Sequence, residues 1–230
     1  LGACERALGQ EVGLYSGRTR ELAPRLIERR YRAEAARLRA AVARSAARAR
    51  VRWSFRVGRG TVAGELLRLA EDNDLAVVGR SGWSAGSASR LGPIARQILI
   101  TGPRRTLLVR PRVNLPLPLV LVYDGSVAAR RAAELAWRFR SAEDQEVVAV
   151  VPGGEKERKR REAEILEVVQ WASPPPRVIS AKSASAADLL RTARRVGCGI
   201  LVLPGGGEGL EREALLAVAE AIESPVLVVR

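Results

Sequence analysis

Residues 74–111 read DLAVVGRSGWSAGSASRLGPIARQILITGPRRTLLVRP, and this stretch decides the fold. The apolar run at 75–78 predicts a buried strand, residues 79–92 a glycine-rich loop, Pro93 the start of a helix, and residues 106–109 a second buried strand. Strand, glycine loop and helix in that order make a phosphate-binding turn. Glycine lets backbone N–H groups converge, and a helix start adds unpaired donors at a positive dipole end. The loop is therefore the first candidate site.

The loop glycines have the spacing Gly79-x2-Gly82-x9-Gly92. With an apolar strand before it and a helix and strand after it, this spacing resembles the G-x2-G-x9-G-[S/T] loop of nucleotide-binding universal stress proteins. Pro93 departs from the pattern, because it stands where that family has a hydroxyl residue. The resemblance implies that the loop holds the phosphates of ATP or another adenine nucleotide, together with its Mg²⁺.

The resemblance also implies which residues form the site. In nucleotide-binding relatives an Asp after the first strand contacts the adenosine end, and Asp124 matches that position. The residues predicted to bind nucleotide are Gly79, Arg80, Gly82, Ser89, Arg90, Gly92, Pro93, Ile94 and Asp124. Proline donates neither an N–H nor a hydroxyl to a phosphate. One such hydrogen bond contributes about 1.5–3 kcal/mol, so Pro93 predicts weakened binding, which Arg80 and Arg90 could partly offset.

Upstream of the loop, apolar residues recur every three to five positions from 19 to 50 and predict a long amphipathic helix. Residues 18–52 contain twelve arginines and three glutamates. This basic face is either a solvated surface whose arginine stems cover apolar groups, or a surface for nucleic acid or an anionic membrane. No aromatic interleaving or groove-reading motif is present, which favours the first interpretation. The next segment, residues 51–57, reads VRWSFRV, and its alternation predicts a strand.

Downstream, the proline-rich residues 111–118 predict a linker. Strands and helices alternate after it, which calls for an α/β fold with a mostly parallel sheet. The end of the chain repeats the loop region, since residues 65–68, 75–78 and 106–110 echo residues 188–191, 200–203 and 226–230. The resemblance therefore implies two Rossmann-like units of the adenine-nucleotide alpha-hydrolase type, arranged as an internal pseudo-dimer that pairs through its last strands.

The predicted domains are residues 1–110 and 119–230, each of universal stress type. The second supplies all five strands of the family, whereas the first supplies only the last three and thus looks truncated at its N-terminus. The second domain's loop, PGGGEG at 204–209, is shorter and places Glu208 and Glu211 near a helix start. A carboxylate there repels phosphate, so this domain is expected not to hold a nucleotide.

Composition excludes several classes of function. The net charge is +14, but only three of the 39 basic residues are lysine, an arginine bias that weakens basicity as a sign of nucleic-acid binding. Histidine is absent, which excludes histidine acid–base chemistry, Ser-His-Asp triads and the zinc sites that need histidine. No catalytic base is evident, so we expect no enzymatic activity beyond slow, incidental ATP hydrolysis. No signal peptide or membrane span is visible, so we expect a cytoplasmic location.

Three hypotheses for the function result. The leading one is a universal stress protein-like, cytoplasmic stress-response or regulatory protein that binds an adenine nucleotide at the first domain. The second is a nucleotide-independent protein-interaction module, with degenerate sites in both domains and contacts or self-association through the last strands, residues 106–109 and 226–229. The third is an enzyme related to adenine-nucleotide hydrolases or electron-transfer flavoproteins, which the absence of an S-G-G-x-D-S loop disfavours.

Overall fold

The structure is a computed structural model of the 230-residue chain. It describes residues 10–12, 19–21, 24–58, 60–81, 91–110, 118–139, 146–170, 174–206 and 210–230. The chain divides into two compact units, an N-terminal unit, Leu1–Leu66, and a C-terminal unit, Leu67–Arg230. Among the described residues, no helix is long and apolar enough to cross a bilayer.

The N-terminal unit contains a short hairpin and the predicted long helix. Strands β1 (Gln10–Val12) and β2 (Thr19–Glu21) pair antiparallel, and helix α1 follows at Pro24–Ala49. The helix predicted from residue 19 to 50 is therefore present from Pro24, but residues 19–21 form a strand instead. Helix α1 begins at its proline, which lacks an N–H and suits the first helical position.

Residues 51–58 have no regular secondary structure, so the strand predicted at 51–57 is wrong. Three of its four apolar side chains, Val51, Trp53 and Val57, are exposed, and only Phe55 is partly buried. The alternating pattern was present, but a strand also needs a hydrogen-bonded neighbour. No strand pairs with this segment in the part of the chain that the structure describes. Helix α2 follows at Val62–Glu71 and runs across the sequence boundary between the two units.

The C-terminal unit is built on one seven-stranded sheet of order β3-β4-β9-β8-β5-β6-β7. Its strands are β3 (Ala76–Gly79), β4 (Arg105–Val109), β5 (Leu119–Val122), β6 (Val147–Pro152), β7 (Arg177–Ala181), β8 (Ile200–Pro204) and β9 (Val226–Val229). Its further helices are α3 (Pro93–Thr101), α4 (Val127–Arg138), α5 (Glu155–Val168), α6 (Ala186–Arg195) and α7 (Arg212–Ala221). Every strand pair is parallel except β4 with β9. The predicted α/β fold with mostly parallel Rossmann-like units is confirmed.

We call residues 67–110 the upstream part of this unit and residues 118–230 the downstream part. They join where β4 and β9 pair antiparallel, with Leu107 opposite Leu227, Thr106 opposite Val228 and Leu108 opposite Val226. In the sequence repeat, Thr106, Leu107 and Leu108 correspond to Val226, Leu227 and Val228. The register is therefore symmetric about the central leucine pair, and the last strands meet within one chain as the pseudo-dimer prediction required.

The downstream part buries one sheet face under a helix of small residues. Helix α4 presents four alanines, all with no exposed surface, to the strands beneath it: Ala129, Ala132, Ala133 and Ala136. Small side chains let the helix approach the sheet closely, and valine and leucine side chains of β5, β6, β8 and β9 complete the core.

Strand direction places the two candidate sites. Strands β5 to β9 are mutually parallel, so all of their carboxyl ends point toward the same side of the sheet. Strand β4 is antiparallel to β9, and β3 is parallel to β4, so the carboxyl ends of β3 and β4 point toward the opposite side. The upstream loop and the Asp124 turn therefore lie at opposite ends of the strands.

Candidate phosphate-binding loop and its downstream counterpart

The upstream loop is closed at its base by backbone hydrogen bonds. The amide of Arg80, just past β3, donates to the carbonyl of Val109 at the end of β4, over 2.9 Å. The amide of Gly92 donates to the carbonyl of Arg80, also over 2.9 Å. The start of α3 is thus fixed beside the carboxyl end of β3. The predicted site residues Gly82, Ser89 and Arg90 lie in residues 82–90, outside the described part of the chain.

Helix α3 begins as the sequence predicted, with Gly92 at the N-cap and Pro93 at the first helical position. The first intrahelical hydrogen bond runs from the Arg96 amide to the Gly92 carbonyl, over 2.9 Å. The amides of Ile94 and Ala95 therefore have no partner within the helix, and they carry the positive end of its dipole. This helix start supplies two N–H donors suited to an anion.

Arg80 has a partner that the sequence did not reveal. Its side chain is 3% exposed, and its two terminal nitrogens donate to the backbone carbonyls of Glu220 and Ile222 at the end of α7. Burial lowers the pKa of Arg80, and the positive charge of Arg110 lowers it further, while Glu220 and Glu223 act in the opposite direction. Most of the Arg80 guanidinium therefore binds a helix end.

Arg80 and Arg110 form a pair of arginines at the ends of two neighbouring strands. They directly follow Gly79 and Val109, which are paired in the β3–β4 register. The Nε atom of each is buried and has no hydrogen-bond partner in the described structure. Two like charges with unsatisfied donors favour a bound anion between them. The residues at the carboxyl ends of β3 and β4 thus fit the phosphate end of a ligand.

Asp124 lies at the opposite end of the strands and is not part of the site formed by Arg80, Arg110 and the start of α3. Its Oδ1 accepts a hydrogen bond from the Ser126 amide at 2.9 Å, and the Ser126 Oγ accepts one from the Ala129 amide at 3.1 Å. These bonds form a tight turn and the N-cap of α4. The second carboxylate oxygen, Oδ2, is buried without a partner among the described residues.

The downstream crevice is filled by its own side chains. The strand order reverses between β5 and β8, so their carboxyl ends flank the usual ligand position of such a sheet. Gly125 has φ +84° there, and a Cβ atom on it would lie 1.7 Å from Nη1 of Arg161. The Arg161 guanidinium is held over this glycine by Glu157, at 2.8 Å, and Glu164, at 2.7 Å. Below it, burial raises the pKa of the Tyr123 hydroxyl, with Glu164 adding to the effect.

A cavity of about 780 Å³ lies near the amino ends of β3 and β4, away from the loop. Its charged lining is mixed, comprising Glu71, Asp72, Asp74, Arg104 and Arg105. Both signs of charge are present, so the lining selects no ligand charge. Within the described ranges, no group of three or more acidic or cysteine side chains is placed to hold a metal ion.

Sequence reasoning missed two arginines that shape these sites. Arg110 could have been found, because it follows the last upstream strand and corresponds to Arg230 in the repeat. Arg161 gave no signal, since it is one of several arginines in the uniformly charged helix α5.

Comparison with known proteins finds structural relatives but no relatives by sequence. No protein-family profile and no curated protein matches the sequence. A universal stress protein from Archaeoglobus fulgidus superposes with a TM-score of 0.72 at 17% identity, over 91% of this chain and 80% of that one. A functionally unknown protein from Pseudomonas aeruginosa superposes with a TM-score of 0.56 at 15% identity, over 83% and 76% of the two chains. The chain therefore has the α/β fold found in universal stress proteins.

Proposed function

We propose that this chain is a universal stress protein-like regulatory protein of the cytoplasm, which binds the phosphate end of an adenine nucleotide at its upstream loop and performs no catalysis. The observation that carries the proposal is the pair of buried, unsatisfied Nε donors of Arg80 and Arg110. They stand beside the start of α3, where the Ile94 and Ala95 amides add two further donors. ATP would bring its Mg²⁺ with it.

The same geometry predicts how the site selects its ligand. Strand β3 is an edge strand, so no strand ending in a carboxylate such as Asp124 lies beside it in the described structure. The adenosine end therefore lacks the contact that nucleotide-binding relatives supply. Phosphate number should control affinity more strongly than the base does, so we expect ATP and GTP to bind alike and inorganic pyrophosphate to compete with both.

Isothermal titration calorimetry of the full chain with ATP, GTP and pyrophosphate, with and without Mg²⁺, tests this. Replacing Arg110 by Gln should weaken ATP binding about ten- to a hundredfold, the effect of one hydrogen bond to a charged group. The matched control is Arg104→Gln, an exposed arginine at the other end of the same strand region, which should bind ATP like the parent. An absence of heat with ATP and pyrophosphate, or equal weakening by both substitutions, would contradict the proposal.

A second function, a nucleotide-independent interaction module, is favoured by the closed downstream crevice. Arg161 occupies the space above Gly125, and Arg80 is largely engaged by α7. In this function the exposed surface binds a protein partner, and neither site holds a nucleotide. Mass spectrometry of gently denatured, freshly purified protein distinguishes the two, because adenine nucleotide released in stoichiometric amount supports the first function and opposes the second.

A further inference from the structure

Arg110 and Arg230 are equivalent residues of the sequence repeat, but the structure gives them different partners. Each directly follows the last strand of its part, β4 or β9. The terminal nitrogens of Arg230 reach the end of α3 and donate there to the carbonyls of Leu99, Gly102 and Pro103. In the described structure Arg110 makes no such contact, and its Nε atom is buried without a partner. The two-fold relation between the parts is therefore broken at this residue.

The capping contact that this relation assigns to Arg110 is made by Arg80. The repeat aligns α3 with α7, so their C-cap residues, Gly102 and Ile222, correspond to each other. The Gly102 carbonyl accepts from Arg230, whereas the Ile222 carbonyl accepts from Arg80. Both arginines satisfy orphan carbonyls at the negative end of a helix dipole. Arg80 therefore performs for α7 the capping that Arg230 performs for α3.

The residue at position 205 shows why only one arginine can use this path to the helix end. The Arg80 amide donates to the Val109 carbonyl over 2.9 Å. The Gly205 amide makes the matching bond to Val229 over 2.7 Å, so Gly205 is the downstream equivalent of Arg80. A Cβ atom on Gly205 would lie 3.1 Å from Cγ of Arg230, closer than ordinary van der Waals contact. The Arg230 side chain thus crosses directly over the glycine, and a longer side chain there would block it.

The upstream part has an arginine in place of this glycine. The buried Arg80 side chain fills the equivalent path and itself donates to the end of α7. Burial and then the charge of Arg110 lower the pKa of Arg80, as expected for two guanidinium groups that lie near each other. Arg110 is therefore kept off the helix end and remains at the carboxyl ends of β3 and β4, where α3 also begins.

We propose that Arg80 is a positioning residue for the anion site: by capping α7, it leaves the Arg110 guanidinium to the phosphates of the ligand. The downstream part has Gly205 at the equivalent position, so its arginine is engaged as a cap instead of being available to a phosphate. One position thus determines which of the two loops can bind. The role of Arg80 toward the anion rests on the proposed function, whereas the exchange of caps can be measured without a ligand.

The first measurement is urea unfolding without ligand, with circular dichroism to check that each variant folds. Arg80→Gly opens the path, so Arg110 should move onto the end of α7 and replace the lost cap. Adding Arg110→Gln to that variant should then lower the urea midpoint by about 0.5 M or more, the effect of one hydrogen bond to a charged group. Arg80→Ala leaves only a Cβ atom on the path and repeats the experiment should Arg80→Gly not fold.

The matched control is Arg80→Gln, whose side chain still fills the path to α7. In this variant and in the parent, Arg110 does not reach the helix end, so Arg110→Gln should not lower the urea midpoint. A merely structural role for Arg80 would instead give Arg110→Gln the same effect in every background.

The second measurement is calorimetric titration of the same proteins with inorganic pyrophosphate. In the parent and in the Arg80→Gln background, Arg110→Gln should weaken binding at least tenfold. In the Arg80→Gly background it should change binding by less than about threefold, because Arg110 has already left the site.

The two measurements separate this role of Arg80 from the proposed function. Equal effects of Arg110→Gln on the urea midpoint in all three backgrounds, or equal effects on pyrophosphate binding, would overturn the role of Arg80. A midpoint that depends on the background as expected, in a parent that binds no pyrophosphate, would refute the proposed function and leave the exchange of caps intact.

Discussion

Arg80 and Arg230 each cap a helix on the other side of the β4–β9 junction, Arg80 capping α7 and Arg230 capping α3. Arg80, from the upstream part, donates to two backbone carbonyls at the end of α7, and Arg230, from the downstream part, donates to three at the end of α3. A cation at a helix C-terminus satisfies orphan carbonyls and opposes the negative dipole end. These exchanged caps reinforce the β4–β9 junction.

Replacing Arg80 by Gln should lower the free energy of unfolding by about 2–4 kcal/mol. Hydrogen bonds to charged groups contribute about 1.5–3 kcal/mol, and the substitution removes at least one of two. Urea unfolding followed by circular dichroism measures the effect. The control is Arg96→Gln, which breaks an exposed ion pair with Glu220 at the same helix end and should cost less than about 1 kcal/mol. Similar losses in both variants would refute the cap.

Replacing Thr106 by Val should raise the free energy of unfolding by about 1 kcal/mol. The Thr106 side chain has no exposed surface, and its hydroxyl has no partner in the described structure. A buried hydroxyl without a hydrogen bond costs about 1–3 kcal/mol, and valine removes it with little change in shape. The repeat already has Val226 at this position. The same urea titration applies, and a destabilised variant would show that the hydroxyl is satisfied.

Replacing Gly125 by Ala should destabilise the protein more than replacing Gly206 by Ala. Both glycines have positive φ, +84° and +77°, so both substitutions cost about 1–2 kcal/mol of backbone strain. Only the Gly125 variant also displaces Arg161, because Gly206 has open space around its Cβ position. In an Arg161→Ala background the two losses should become equal. Thermal unfolding of the six proteins decides this, and a difference that persists in that background would contradict the packing of Arg161 over the turn.

The stability of the protein should fall above pH 8.5 because of Cys198. Burial raises the pKa of this thiol to about 12, partly opposed by a hydrogen bond with Ser224. An unfolded cysteine ionises near pH 8.5, so its proton favours the folded state, and the stability is fully present below that pH. Between pH 9 and 10 the parent should lose up to roughly 1.4 kcal/mol more than Cys198→Ala, measured by urea unfolding. Parallel pH profiles for the two proteins would contradict the shift.

Periodicity and the repeat predicted most of the C-terminal unit. The strands at 106–109 and 226–229 and the helix start at Pro93 depend on local pattern, and the structure confirms them. The mutual pairing of the two strands was implied by the resemblance to universal stress proteins, and the structure shows it as well. The strand at 51–57 failed because pairing depends on a neighbour that the pattern does not specify.

The direction of a side chain could not be predicted from the sequence either, because it depends on residues that are distant in the chain. Arg80 was predicted to face a phosphate, yet its terminal nitrogens bind carbonyls of residues 220 and 222, about 140 positions away in sequence. Nothing local to the loop indicates that α7 ends there. The placement of Gly82, Ser89 and Arg90 stays a prediction, since those residues lie outside the described ranges.

The symmetric register about Leu107 and Leu227 has a consequence for oligomers. The contacts between β4 and β9 would be the same if the two strands came from different molecules, so swapping them between two copies costs no junction contact. Only the effective concentration imposed by the chain between residues 110 and 118 then favours the closed monomer. Shortening that connection until it can no longer span its two ends should produce reciprocally exchanged dimers at high protein concentration.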